Sequence, residues 1–265
     1  MEKNSDLKIS VVIPMYNASN TIERALDSIK GQTFRCNYQI IVVNDGSKDN
    51  SQEIVEKYIA DNPQLNITLI NQLNGGVSKA RNTGLKHASG NLIAFLDSDD
   101  AWKEEKIEEQ LKIFKNHYNV DFLGTGFAGF GIKAKIGKLK KISFEDLLFR
   151  NYFQPSTILM KREIVDKVGY FDENQKYAEE GNYFFRVSKD FKCFFLNQEL
   201  IVFGDGKSGF GESGLSANLK EMEKGELKNL KFAYENKWIG FGLYFVTVCF
   251  SLLKYLRRIV IVKLR

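Results

Sequence analysis

Three acidic residues follow a run of five apolar residues in the first half of the chain. Leu92 to Leu96 are typical of a fully buried strand, and Asp97, Asp99 and Asp100 come directly after them. Carboxylate oxygens are the ligands that magnesium and manganese prefer. At the carboxyl end of a strand in an α/β sheet, such residues lie where ligands bind. The spacing predicts a Mn²⁺ or Mg²⁺ site, with the alternative that Asp99 or Asp100 caps a helix starting near Trp102.

Two other polar loops follow apolar strands nearer the start of the chain. One contains Pro14, Tyr16 and Asn17, after a strand expected to run from Lys8 and to stop at Pro14, and the other contains Asp45. Parallel strands end at the same edge of a sheet, so both loops are expected to share one rim with the acidic residues.

A glycine-rich turn opens a helix that carries a basic side chain. Gly75 and Gly76 precede this helix, and Arg81 lies in its second turn. A helix start of this kind favours anions, and Arg81 can neutralise a phosphate. The turn lacks the GxGxxG spacing of a dinucleotide site.

The elements that must position these residues alternate between strand and helix over the first hundred residues. This order predicts an α/β fold with a doubly wound, mostly parallel sheet. The second half is less regular. Its predicted strands are Asp121 to Phe127, Ser156 to Met160, Cys193 to Leu196 and Glu199 to Phe203, and its predicted helices are Ser143 to Arg150, a helix within Tyr177 to Lys189, and Leu219 to Asn236. The glycine-rich stretches 124–137 and 204–216 are expected to be a loop or hairpin and a mobile loop.

Composition is that of a globular protein with a proper core. The chain has 265 residues, 43% hydrophobic and 27% charged. Its three cysteines are far apart, which favours a reducing compartment, and no secretory leader is predicted. From Asn236 to Arg265 there are six basic residues and no acid, so the net charge of +5 belongs to the tail. A nucleic-acid binder more often spreads basic residues over its folded body, and no nucleic-acid partner is expected.

The tail combines an uncharged run with basic residues at helical spacing. Trp238 to Leu253 is uncharged but falls short of the roughly 20 residues that span a bilayer. Lys254, Arg257 and Arg258 follow at spacings of three and four. This pattern predicts an interfacial helix with its cations toward the headgroups of an anionic membrane. The alternative is a helix packed in the core.

Four motifs in order resemble glycosyltransferase family 2, whose members have the GT-A fold and invert the configuration of the transferred sugar. The resemblance spans about residues 8 to 205 and rests on 12–17 (VIPMYN), 43–47 (VNDGS), 76–84 (GVSKARNTG) and 95–102 (FLDSDDAW), and extends to 169–172 (GYFD). It implies a catalytic domain (1–217) with a nucleotide-sugar half (1–102) and an acceptor half (103–217). A helical tail (218–265) follows, and its own charge pattern predicts that it is membrane-associated.

The resemblance also implies roles for the rim residues. Asp45 would accept a hydrogen bond from uracil N3–H, which UDP and dTDP sugars share and CMP sugars lack. Asp97 would lie near the ribose or reach the metal through water, with Ser98 beside it, and Asp99 would bind the metal directly. The implied donor contacts are Pro14, Tyr16, Asn17, Asp45, Gly75, Gly76, Arg81, Asp97 and Ser98.

Inversion by a single displacement needs a base for the acceptor hydroxyl. The resemblance points to Glu180, with Arg186 six residues later, although family members more often have Asp at this position. Glu179 is the alternative, and adjacent residues on a helix diverge by about 100°, so only one of the two can face the donor.

The predicted function is transfer of one sugar from a UDP-sugar to a saccharide or lipid-linked saccharide during surface polysaccharide synthesis. The processive Gln-x-x-Arg-Trp motif and a bundle of membrane helices are both missing from the sequence, which favours single addition. The expected location is the cytoplasmic face of the cell membrane. The alternatives are a polyprenyl-phosphate glycosyltransferase, a sugar-nucleotidyltransferase, or an inactive nucleotide-sugar-binding protein.

Overall fold

A computed structural model describes residues 7–116, 119–127, 131–132, 135–204 and 215–264. The described residues form one nine-stranded sheet. Its strands are β1 Lys8–Met15, β2 Asn37–Asn44, β3 Asn66–Asn71, β4 Leu92–Phe95, β5 Ala101–Trp102, β6 Phe122–Phe127, β7 Leu139–Ile142, β8 Leu159–Lys161 and β9 Cys193–Val202. The helices are α1 Ile22–Lys30, α2 Ser51–Asp61, α3 Val77–His87, α4 Lys106–Asn116, α5 Phe144–Phe149, α6 Glu163–Val168, α7 Glu179–Asp190, α8 Leu219–Glu235 and α9 Phe241–Lys263.

The sheet is parallel in its first half and mixed in its second. The strand order is β3-β2-β1-β4-β8-β6-β9-β5, with β7 paired to β9. β3, β2, β1 and β4 are parallel, β8 is antiparallel to both neighbours, and β6 is parallel to β9. The predicted doubly wound, mostly parallel sheet with helices on both faces is confirmed.

Alternate residues of the central strand face two separate apolar layers. On β1, Val12 faces a cluster that includes side chains of α3, α5, α6, α7 and α8, whereas Val11 and Ile13 face a cluster that includes side chains of α1, α2 and α4. This alternation follows from the period of two along a strand. On α1, the apolar residues Ile22, Ala25, Leu26 and Ile29 lie on one face and are all buried.

The prediction that β1 stops at Pro14 was wrong. Pro14 and Met15 continue the strand and pair with Val43 and Asn44 of β2. On the other side of β1, the pairing with β4 ends at Val12. Proline lacks an N–H, so it is tolerated in a strand at a position where no neighbouring strand offers a carbonyl to accept that hydrogen bond.

Three other boundaries differ from the predictions. No helix starts near Trp102, because Ala101–Trp102 pairs with β9 as strand β5 and α4 begins only at Lys106. Pro155–Thr157 forms a 3₁₀ turn ahead of β8, and the two short strands expected after residue 193 are one strand, β9. Ser143 caps α5, since its side chain accepts a hydrogen bond from Asp146 N–H. Of the two glycine-rich stretches, 128–130, 133–134 and 205–214 lie outside the described residues.

The last two helices pack on the body of the protein and on each other. Leu230 and Ala233 of α8 lie in the same apolar cluster as residues of α7, and Leu243 and Val248 of α9 pack against it. The predicted boundary at residue 217 stays a prediction. Within the described part of the chain, no helix is long and apolar enough to cross a membrane.

The prediction that the three tail cations point outward was wrong for two of them. Lys254 Nζ lies 3.2 Å from Glu226 Oε2, and Arg258 Nη2 lies 2.6 Å from Glu226 Oε1. Glu226 belongs to α8, so these cations turn toward the protein, whereas Arg257 is exposed as expected. The spacing of the three residues could not reveal this carboxylate, because it comes from another helix.

Candidate active site

The loops after β1 and β2 are joined by hydrogen bonds, as their shared rim predicted. Asn17 N–H donates to Ser47 Oγ at 3.0 Å, and Lys48 N–H donates to Asn17 Oδ1 at 2.8 Å. Asp45 N–H donates to the Met15 carbonyl at 2.8 Å. Asn17 has a left-handed backbone with φ of 50°, which asparagine tolerates better than most residues. Tyr16 is exposed on this loop and Pro14 is buried below it.

The Asp45 carboxylate is fixed by three donors. Gly75 N–H and Gln72 Nε2 donate to Oδ1 at 2.9 and 2.7 Å, and Gly76 N–H donates to Oδ2 at 2.8 Å. Gly76 has φ of 89°, a backbone conformation that favours glycine. The anion at the start of α3 is thus the chain's own Asp45. Because Oδ2 has only one donor among the described residues, it keeps capacity to accept another hydrogen bond.

The acidic turn after β4 divides its three carboxylates between different environments. Asp99 is exposed, and Arg24 Nη2 of α1 donates to its carbonyl oxygen at 2.6 Å. Asp100 is buried and accepts from Ser156 Oγ at 2.5 Å, Gln154 Nε2 at 3.1 Å and Gly204 N–H at 2.8 Å. Burial, together with the nearby Asp97 carboxylate, raises the pKa of Asp100 to about 7. Asp100 therefore anchors the turn, while Asp99 remains at the surface.

Arg81 joins the acidic turn to the start of α7. Its Nη2 lies 2.9 Å from Asp97 Oδ1, and its Nη1 lies 2.8 Å from Glu179 Oε1. Arg81 and Glu179 are 4% and 5% exposed, so this bridge is almost completely removed from water. The Asp97 and Glu179 carboxylates overcome the effect of burial and raise the pKa of Arg81 above its ordinary value. In the structure, the charge predicted to neutralise a phosphate is neutralised by these two acids.

The two acids at the start of α7 have different partners. Glu179 is buried and accepts a hydrogen bond from Arg81. The side chain of Glu180 is only partly buried. Burial and the adjacent Glu179 carboxylate raise the pKa of Glu180 to about 8. A carboxyl group with a raised pKa beside a charged cluster is a candidate acid or base. The geometry favours Glu180 over Glu179 in this role.

Helix α8 supports the segment that carries these acids. Asn229 Nδ2 donates to the Ala178 carbonyl at 2.8 Å, and Gln175 Nε2 donates to Asn229 Oδ1 at 2.8 Å. A Cβ atom on Gly225 would lie 2.2 Å from the Tyr177 carbonyl oxygen, so only glycine allows this approach. Ala178 has a left-handed backbone with φ of 51°. Helix α8, which lies outside the predicted catalytic region, therefore supports the turn before α7.

The donor set at the rim fits a divalent cation held largely by its substrate. No group of three or more His, Cys, Asp or Glu side chains suited to a metal occurs in the ranges that the structure describes. Magnesium in nucleotide enzymes is commonly bound by one or two carboxylates together with substrate phosphates. The exposed Asp99 and the nearby Asp97, two residues before it, supply this number of carboxylates.

The sequence profile of "Glycosyl transferase family 2" matches residues 10–173. The chain belongs to glycosyltransferase family 2. The match covers the loops after β1 and β2, the glycine-rich turn before α3 and the acidic turn. As a family 2 member the protein is a glycosyltransferase, and the family predicted from its motifs is confirmed.

Relatives with assigned names and solved structures agree with this membership. The chain is 29% identical over 225 residues to the Escherichia coli protein "UDP-Glc:alpha-D-GlcNAc-diphosphoundecaprenol beta-1,3-glucosyltransferase WfgD", covering 83% of this chain and 84% of that one. The fold matches Staphylococcus aureus TarS 1-349 in complex with UDP-GlcNAc with a TM-score of 0.68 and 23% identity, covering 84% of this chain and 66% of that one. It also matches the mannosyltransferase PcManGT from Pyrobaculum calidifontis, in complex with GDP-Man and Mn²⁺, with a TM-score of 0.67 and 16% identity over 96% of this chain and 77% of that one. The GT-A-like fold is thereby confirmed.

Several other relatives are much longer than this chain. It spans between 15% and 33% of the length of five of them. What those proteins act on as whole molecules is not transferred to this family 2 domain.

Three supporting residues of the family 2 site were missed at the sequence level. Gln154 and Ser156 hold the acidic turn from the 3₁₀ turn before β8, and Asn229 holds the start of α7 from α8. All three are uncharged and lie in no motif, so only the fold brings them to the site. The sequence Gln154-Pro155-Ser156-Thr157, a proline followed by two hydroxyl residues, is the local signal that marks a turn there.

Ser156→Ala is expected to lower the unfolding free energy by about 1–3 kcal/mol, because Asp100 and the Asp97 N–H would lose a buried partner. Chemical denaturation measures this change. Ser188→Ala, which removes a bond to the Phe185 carbonyl within α7, is the matched control and is expected to cost less than about 0.5 kcal/mol. Equal stability of the two variants would contradict the role of Ser156.

Proposed function

We propose that the protein transfers a single sugar from a UDP-sugar to a saccharide or lipid-linked saccharide, with inversion of configuration. The observation that carries this proposal is the Arg81 bridge. One guanidinium contacts both Asp97, in the turn expected to meet the donor diphosphate, and Glu179, beside the expected base. Donor and acceptor chemistry are thereby assigned to the two ends of one ion-paired cluster.

The donor assignment rests on Asp45 and on the relatives. Its carboxylate is oriented by three donors and is able to accept a further hydrogen bond at Oδ2, which suits the N3–H of uracil. Two proteins similar to this chain carry UDP sugars in their names, as UDP-Glc for WfgD and UDP-GlcNAc for the TarS complex.

Asp99 would hold a Mn²⁺ or Mg²⁺ ion, with Asp97 contributing through water. A bound cation of this kind stabilises the negative charge that develops on the departing nucleotide. The Mn²⁺ complex of PcManGT, which shares the fold, is consistent with a divalent cation. The chain's own contribution is to present Asp99 at the surface on a turn that Asp100, Ser156 and Gln154 hold in place.

Glu180 would take the proton of the acceptor hydroxyl as that oxygen attacks the sugar. A base is most effective when its pKa lies near the working pH, and the pKa of Glu180 is raised to about 8. Glu179 is paired with Arg81 through Oε1, which makes Glu180 the better candidate for this role. Asn229 and Gln175 position the segment that carries both acids.

The acceptor is proposed from the relatives and from the tail. WfgD is named for a diphosphoundecaprenol-linked acceptor, and another similar protein, GgaB of Bacillus subtilis, is named for minor teichoic acid biosynthesis. A lipid-linked saccharide lies at a membrane, so the protein is proposed to associate peripherally with the inner face of the cell membrane. This acceptor favours saccharide transfer over direct transfer to a polyprenyl phosphate.

The proposal is tested by measuring UDP released from a panel of nucleotide sugars, with and without Mn²⁺. Release from at least one UDP-sugar, stimulated by metal and by a saccharide acceptor, is expected. No release from any UDP- or dTDP-sugar, in the presence of acceptor and metal, would contradict it and favour an inactive binding protein.

Asp99→Ala is expected to abolish the metal-dependent part of UDP binding and leave folding intact, because an exposed oxygen ligand is lost. Calorimetric titration of UDP with and without Mn²⁺ measures this. Asp61→Ala, which removes an exposed carboxylate at the end of α2, is the control and should bind like wild type. If Asp99→Ala still shows the full Mn²⁺ enhancement, Asp99 does not hold the metal.

A further inference from the structure

Helix α9 exposes apolar side chains to solvent along one side and buries two polar residues on its inward side, beside Leu243 and Val248. Five exposed residues, here called the outer stripe, recur at helical spacing along one side of α9. They are Phe245, Val246, Leu253, Leu256 and Val260, and their exposed fractions are 59%, 53%, 65%, 57% and 54%. The polar residues Thr247 and Ser251 are buried on the opposite side. This is the reverse of a helix on the surface of a soluble protein, which faces its apolar stripe inward.

Ion pairs fix the helix in this orientation. Glu226 of α8 accepts hydrogen bonds from Lys254 and Arg258 at 3.2 and 2.6 Å. Ser251 Oγ lies 3.3 Å from the same carboxylate. Rolling α9 by half a turn would bury the outer stripe, but it would expose the cations and leave Glu226 without them. The outward apolar face is therefore built into the packing of α8 and α9.

Charge on the rim of the stripe indicates what covers it. Arg257 and Lys263 are exposed beside it, and Lys237 is exposed just before α9. The segment from Asn236 to Arg265 contains no acidic residue. Two copies paired through their stripes would bring these cations together with no carboxylate from α9 to balance them. An anionic lipid surface supplies both the apolar phase and the opposite charge.

We propose that the outer stripe of α9 inserts into the headgroup–acyl boundary of an anionic bilayer, with the helix lying parallel to the surface. The 23 residues of α9 extend for about 35 Å at 1.5 Å per residue. The proposed function supplies the reason for a membrane partner, but the binding itself needs neither donor nor acceptor. Since Lys254 and Arg258 are engaged by Glu226, insertion of apolar side chains dominates the attachment and charge contributes less than three free cations would.

The stripe can be tested by substitution, which is cleaner than truncation. Removing the chain from Trp238 would also remove contacts of Trp238 with Phe144 and Phe232, and it would uncover the core. Replacing Leu253 and Leu256 by serine changes only side chains that are already exposed. Ile136→Ser, at a residue 81% exposed in the turn before β7, is the matched control for loss of an exposed apolar side chain.

The experiment measures co-sedimentation of the full chain with vesicles of phosphatidylglycerol and phosphatidylcholine. Leu253→Ser/Leu256→Ser is expected to reduce the partition coefficient about 10-fold or more, because burial of leucine side chains is lost. Ile136→Ser should bind like wild type. Arg257→Gln should reduce binding to the anionic vesicles about 5-fold or less and leave binding to pure phosphatidylcholine unchanged.

Three outcomes would overturn the inference. The first is vesicle binding by the double serine variant equal to that of wild type. The second is complete loss of wild-type binding in 0.5 M salt, which would make the attachment electrostatic, since exposed charges are screened within about 10 Å already at 0.1 M salt. The third is a lipid-free dimer, seen by light scattering, that the double variant converts to a monomer, which would assign the stripe to a second copy. UDP release from a soluble acceptor reaction is recorded in parallel, so that failure of the transferase proposal and failure of vesicle binding are seen separately.

Discussion

Glu180→Gln is expected to reduce sugar transfer by a factor on the order of 100 or more while UDP binding is retained. Glutamine keeps the size and the polar contacts of the side chain but cannot accept a proton from the acceptor hydroxyl. A factor of 100 corresponds to about 2.7 kcal/mol of transition-state stabilisation. Initial rates of UDP release with acceptor present, together with calorimetric UDP titration, measure the two quantities.

Glu179→Gln is the matched control, because it makes the same chemical change one residue away. It weakens the contact with Arg81, so it is expected to lower stability more than Glu180→Gln does and to retain most of the transfer rate. An inactive Glu179→Gln beside an active Glu180→Gln would move the base by one residue. Full activity of both variants would show that neither acid is the base.

The pH dependence provides a second measure of Glu180. Its pKa is raised to about 8, and the base must be unprotonated to work, so kcat/KM in wild type should rise as the pH increases through about 8. In Glu180→Gln the remaining kcat/KM should not show this rise with pH. If kcat/KM of the variant rises with pH as in wild type, the rise belongs to another group.

The first half of the fold could be predicted because its information is local. Strands such as Leu92–Phe95 are continuous apolar runs, and parallel strand ends bring Asn17, Asp45 and Asp97 to one edge whatever the details of the loops. The second half could not, because its strand order depends on contacts distant in sequence. Trp102 illustrates this, since it joins β9 about a hundred residues later instead of starting a helix.

The site residues divide in the same way. The acids and Arg81 are marked by charge and spacing, but their partners are not. Nothing in the sequence near Glu179 and Glu180 tells which one Arg81 engages, because that depends on how α3 and α7 pack on the same face of the sheet. The tail is similar: its sequence defines an apolar and a basic side of α9, and only Glu226 on α8 determines which side faces inward.

Arg81→Met is expected to lower the unfolding free energy by about 3 kcal/mol or more at pH 8, and to abolish transfer. Methionine preserves length and apolar volume but leaves Asp97 and Glu179 without their shared counter-charge. Removing one partner of a buried ion pair commonly costs about 3–5 kcal/mol, and the 23% exposure of the Asp97 side chain places this case at the lower end. Urea denaturation at pH 8 measures the loss. Arg81→Lys, which keeps the charge but not the planar fork, should fall between wild type and Arg81→Met.

The pH dependence of this loss separates an electrostatic cause from a packing defect. Without Arg81, the buried Glu179 carboxylate has no counter-charge, and burial disfavours the charged form of a carboxyl group. Such a group is most compatible with folding when protonated, so the variant loses stability as the pH rises and regains part of it as the pH falls toward 5. The double variant Arg81→Met/Glu179→Gln removes the stranded charge and should recover part of the loss at pH 8, as a non-additive pair. A deficit that is the same at pH 5 and pH 8, with no recovery in the double variant, would mean that Arg81 acts by filling space and that its bridge does not hold the two ends of the site together.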